Sequence, residues 1–193
     1  MITIDERVAM ILQSERRFAE ELAQCVIEKP TVSVWMILIP ILIVYHMYRH
    51  SRYVEGKKQF VEHYLMSRTN AVREAAAALA EARAPDAARL AVANGLAADI
   101  QPLLQDLLEA LIEHFMILLK ADGGDRDSLI RSSYGSGTAY LLAMNRLNAA
   151  ERKLYNALSI QLQEQQEGVN GMVASIEAES ERLRREEAHR IFG

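Results

Sequence analysis

The chain has 193 residues, 50% hydrophobic and 25% charged, with one cysteine and a formal net charge of −4. That balance excludes disorder along the whole length and an internal disulfide. It also excludes the broadly basic surface that a general nucleic-acid binder needs to displace phosphate counterions, so no nucleic-acid partner is expected. Few glycines and four prolines among many Ala, Leu, Glu and Arg residues favour helix over sheet. The expected fold is all-α: a membrane-anchored helical bundle with long antiparallel helices. Three parts are expected: an N-terminal amphipathic helix (1–30), a membrane segment (31–50) and a helical bundle with a charged C-terminal helix end (51–193).

Thr3-Ile-Asp-Glu6 reads as a capping box, so a helix is expected to start at Ile4. Val8, Ile11, Leu12, Ala19, Leu22 and Val26 then recur at helical spacing. Lys29-Pro30 ends the pattern, because the residue before a proline avoids the α region. About thirty residues carrying six acidic side chains precede the first apolar run, unlike a secretory signal.

From Val32 to Tyr48 the sequence contains no Asp, Glu, Lys or Arg. As a helix this run would reach roughly 26 Å, against a hydrocarbon thickness of ~30 Å. Trp35 stands near one end; Tyr45, Tyr48 and Tyr53 stand near the other, where aromatic rings favour a membrane interface. Arg49, Arg52, Lys57 and Lys58 add a basic cluster suited to anionic lipid headgroups. Pro40 removes a backbone donor mid-run and leaves one kinked span or a re-entrant hairpin or interfacial helix open, and the marginal length keeps a buried core helix of a soluble protein as a third reading. The excess of Lys and Arg after the run places the C-terminal domain in the cytoplasm.

A helix is expected from Ser51 to about Ala84, broken at Pro85-Asp86, where the next helix opens. Asn94-Gly95 marks an end or a distortion. Pro102 leads into the most apolar of the remaining helices, Leu103 to Leu119, whose polar positions fall on one side; it is read as the central core helix. Asp122-Gly-Gly-Asp-Arg-Asp-Ser is the clearest loop, followed by a short helical piece over Ser128 to Ser133. One long final helix is expected from Thr138 to roughly Arg190. It is coiled-coil-like in its apolar row and, beyond Ile176, reads as a solvated or partner-binding tail of Glu and Arg.

Chemistry-bearing patterns are sparse. His46 and His50 lie four residues apart on one helix face, a spacing that suits a metal or haem. Asp106, Glu109 and Glu113 form a carboxylate row that lacks the Glu-x-x-His partners of a di-iron site. Asp122, Asp125 and Asp127 depart from the alternation of a calcium loop. No catalytic set and no cofactor are expected. The functional expectation is a membrane-anchored scaffold or interaction protein that works by self-assembly or recruitment. Its expected partners are membrane lipid and a protein or a second copy of the chain. The alternatives are a metal- or haem-dependent membrane enzyme using His46 and His50, or an accessory subunit of a larger membrane complex.

Overall fold

The computed structural model describes residues 2–27, 56–163 and 169–193. Among them are seven helices and no strand: α1 (Ile4–Ile27), α2 (Gly56–Ala80), α3 (Ala87–Ala93), α4 (Gln101–Lys120), α5 (Arg126–Tyr134), α6 (Gly137–Gln163) and α7 (Val169–Phe192).

The helix ends follow local chemistry. Thr3 and Glu6 exchange hydrogen bonds at the start of α1: the Thr3 N–H donates to Glu6 Oε2 at 2.7 Å and the Glu6 N–H donates to Thr3 Oγ1 at 3.2 Å. Asp86 caps α3 through the Arg89 N–H, and Asn94 followed by Gly95 at φ +69° ends it. Asp125 and Ser128 form a reciprocal capping box on α5, and Gly135 at φ +67° terminates that helix in the left-handed conformation. Gly123 is required for a different reason: a Cβ there would stand 2.8 Å from the Leu129 nitrogen inside the first turn of α5.

The core forms two apolar clusters. The larger is centred on α4, whose Leu104, Leu108, Leu111, Phe115 and Leu118 are buried against Ile11, Val72, Ile130, Tyr140 and Leu154. Each such side chain contributes about 1.5–3 kcal/mol. The smaller joins α1 (Leu22, Val26), α2 (Val61, Leu65) and α7 (Val173, Ile176, Leu183). The carboxylates of α4 face outward as expected: Asp106, Glu109 and Glu113 are exposed, and Glu113 pairs with Arg146.

Three expectations are corrected. First, α6 and α7 replace the single long final helix. They fold back on one another, with Gly137 against Phe192, Tyr140 bonded to Glu187 and Arg152 bonded to Glu181. Second, the Glu/Arg-rich end is built into the bundle, because Ser180, Leu183, Arg184, Ala188 and Ile191 are buried.

Third, the single-pass membrane protein with a cytoplasmic C-terminal domain is not supported: among the described residues no helix is long and apolar enough to cross a membrane. The apolar face of each helix is taken up by its neighbours. The run from 32 to 48 lies outside the described residues.

Candidate functional site

The junction between the two cores is charged. Arg68 of α2, Glu151 of α6 and Arg184 of α7 are all buried, although such side chains are rarely buried unless paired. Arg184 donates to both carboxylate oxygens of Glu151, from Nη1 at 2.8 Å and from Nη2 at 3.1 Å, and also to Asn148 Oδ1. Arg68 Nη2 donates to Glu151 Oε1, and Arg68 Nε lies 2.9 Å from Glu15 Oε2. The Arg68 guanidinium stacks 3.5 Å over the Tyr64 ring, and that of Arg184 sits 5.3 Å from the Phe18 ring centroid. Glu15, Arg68, Glu151 and Arg184 thus form a neutral chain across four helices. On α1, α2 and α7 the charged residue falls where the helix passes from one apolar cluster to the other.

Burial and pairing oppose each other here. Desolvation pushes the Glu151 carboxyl up, but the Arg184 and Arg68 guanidiniums outweigh it and hold it below the usual carboxylate range. Desolvation likewise disfavours the charged Arg184 and is outweighed by Glu151, so its pKa is raised. Arg68, Glu151 and Arg184 are therefore all ionised, with each charge set against a neighbour.

A second polar group lies nearer the surface. Tyr140 Oη donates to Glu187 Oε2 at 2.5 Å. Glu187 also binds Arg126, while Arg190 binds Asp127 and approaches Glu187 at 3.9 Å. Arg126, Asp127, Glu187 and Arg190, with Asp125 and Glu186, form one wall of a cleft of about 700 Å³ between α1, α5 and α7. The α1 wall carries Met10, Gln13, Ser14, Arg17, Phe18 and Glu21; Arg131 and Leu183 complete the cleft. Arg17 and Arg131 are exposed. Arg131 Nε donates to the Ile191 carbonyl at 2.7 Å. Its charge adds to those of Arg190 and Arg126 in lowering the Asp127 carboxyl, whereas Arg17 makes no ion pair among the described residues.

Beneath this wall His114 of α4 shares a 2.6 Å hydrogen bond between Nδ1 and Tyr134 Oη. Burial, reinforced by Arg126, Arg184 and Arg68, pushes its pKa down to about 3, so the imidazole is neutral at ordinary pH. Burial raises Tyr134 to about 12. Neither group is poised for proton transfer near neutrality.

The residues singled out in the sequence stand apart from these groups. His46, His50, Trp35, Tyr45, Tyr48, Arg49, Arg52 and Tyr53 lie outside the described residues, and Lys57 and Lys58 stand in the first turn of α2. Asp125 and Asp127 belong to the cap and wall of the cleft rather than to a cation loop. Among the described residues no group of three or more His, Cys, Asp or Glu side chains could hold a metal ion. Arg68, Glu151 and Arg184 were not anticipated. Their signal was present: Arg68 continues the apolar row Val61, Leu65, Val72, and Glu151 interrupts the row Met144, Leu147, Leu154, Leu158. A charge at a core position of a helical row is the mark of a buried pair.

Comparison of the chain with protein-family models, with curated proteins and with solved structures finds no match.

Proposed function

We propose that this chain is a non-enzymatic interaction module, a bundle of long antiparallel helices that recruits a protein partner or a second copy of itself. One observation carries the reading: an open cleft lined by charged side chains of both signs sits on a frame whose own buried charges are paired off. A catalytic centre calls for a group whose pKa is tuned toward its working pH. In this frame the buried His114 is held neutral, the buried Glu151 is held ionised and the half-buried Tyr134 is held protonated, while burial raises the half-buried Glu177 carboxyl. A rigid frame with a preformed open groove lowers the ordering cost of association.

Affinity purification of the tagged chain under native conditions, with quantitative mass spectrometry and light scattering, tests the reading. The expected result is one stoichiometric partner, or a discrete oligomer. A monodisperse monomer that captures nothing stoichiometric contradicts it.

A further inference from the structure

We infer that the part of the bundle beyond the charged layer, formed by the end of α1 and the starts of α2 and α7, opens as one unit while the larger core stays folded. The layer of Glu15, Arg68, Glu151 and Arg184 is its seam. This is a property of the fold alone and stands whether or not the chain recruits a partner.

Three helices change cores at one level of the bundle. On α1 the buried apolar positions pass from Ile11 in the larger cluster to Ala19 in the smaller, with Glu15 between them. On α2 they pass from Leu65 in the smaller to Ala71 in the larger, with Arg68 between them. On α7 they pass from Leu183 to Ala188, with Arg184 between them. Glu151 of α6 stands between Ala150 and Leu154, both of the larger cluster, so it meets the crossing helices from that side. Among the described residues Tyr155 is the side chain that packs against both clusters.

Apolar burial couples side chains only where they touch. Two clusters joined mainly through a polar layer can therefore lose their burial separately. The layer does not forbid this. Substituting one partner strands an ion in a dry interior, whereas opening the seam returns water to every ion in it and relieves the desolvation penalty.

The smaller side is the one that opens. Leu104, Leu108, Phe115 and Leu118 at the centre of the larger cluster are 0% exposed, whereas Phe60, Tyr64, Leu65 and Ile176 in the smaller each keep 7%. Two buried oxygens on that side, Tyr64 Oη and Glu177 Oε1, have no hydrogen-bond partner among the described residues. Arg7 Nε and Arg126 Nε are unpartnered on the other side, but those side chains bond through their remaining nitrogens. Tyr64 has no second polar side-chain atom, so only water restores its lost hydrogen bond. Opening thus exposes the apolar sides of three helix segments and leaves the core around α4 packed.

Native-state hydrogen exchange of the full chain, read residue by residue by NMR at rising urea below the unfolding midpoint, tests this without any substitution. The amides of Leu22 on α1, Leu65 on α2 and Ile176 on α7 report the smaller cluster, and those of Leu108 and Leu118 on α4 report the larger. The expected result is one opening constant for the first three, equal within about twofold, and exchange at least about tenfold faster than on α4. Their common urea slope should be shallower than that of global unfolding, because less surface is exposed. The step between the two classes should fall at Arg68 on α2 and at Arg184 on α7. Equal protection at all these amides, at the level of global unfolding, overturns the unit. Protection that grades with distance from each helix end also overturns it, since separate helices would then be fraying. A step displaced from Arg68 and Arg184 overturns the charged layer as the seam.

Discussion

The charged chain at the core junction and the wall of the cleft are built from the same residue types on the same helix, and they differ in what burial demands. Along α7, Arg184, Glu187 and Arg190 are three residues apart, so each step turns the face by about 60°. Side-chain exposure rises along that series from 5% to 16% to 57%. At the inner end every charge is matched, two arginines against two glutamates, because an unpaired buried ion carries a desolvation penalty of several kcal/mol. At the outer end water meets that cost, and Arg17 and Glu21 stay without an ion pair among the described residues. Pairing is obligatory inside and optional outside, which is why the inner group holds helices together while the outer one is free to bind.

The comparison breaks first at Glu151. Glu151→Gln strands two buried guanidiniums and should cost about 3–5 kcal/mol in urea unfolding. Replacing Glu15, Arg68, Glu151 and Arg184 together by Leu, Met, Leu and Met should recover most of that loss, since the apolar clusters on either side would then merge. Recovery would mean that the chain specifies register more than it stabilises. A quadruple variant as weak as the single one would mean that the charges themselves hold the bundle.

Acid titration sharpens the comparison next. His114 takes up a proton near pH 3 when folded but near 6.5 when unfolded. The unfolded state therefore binds more protons in that window, and stability falls as pH drops through it, by up to about 1.4 kcal/mol per pH unit. His114→Gln should flatten the slope between pH 6.5 and 4.5. Glu151, with its native pKa depressed, stabilises above the unfolded value of about 4.3 and loses that contribution only below it. The two windows are separable in one series of unfolding curves.

Smaller effects should follow exposure. Glu74 is buried on α2 and gathers Arg83, Arg89 and the Asp86 N–H at the α2–α3 connection. Because both arginines are partly exposed, Glu74→Gln should cost only about 1–2 kcal/mol in thermal or urea unfolding. Arg152 bridges Glu177 and Glu181 while half exposed, so Arg152→Ala should cost about 0.5 kcal/mol or less in the same assay.

Much of the bundle was legible beforehand, for local reasons. The capping box at Thr3, the break at Pro85-Asp86, the entry at Pro102 and the loop at Asp122 each depend on residues within four positions of one another. The outward carboxylates of α4 were legible from period alone. The failures are long-range. The fold-back of α6 on α7 is made by contacts 29 to 55 residues apart, such as Arg152 with Glu181 and Gly137 with Phe192, and a sustained helical period runs through both helices alike. Arg184 read as solvated because charge is normally a surface property; only the partner Glu151, 33 positions away, makes it a core residue.

Equilibrium urea unfolding of Arg184→Met beside Arg17→Gln tests the division most directly. The first removes a matched charge at the core junction and should cost about 3–5 kcal/mol. The second removes an exposed charge on the cleft that has no ion pair among the described residues and should leave stability within about 0.5 kcal/mol. Equal losses in the two variants would contradict the division between a sealed, paired interior and an open, uncommitted cleft.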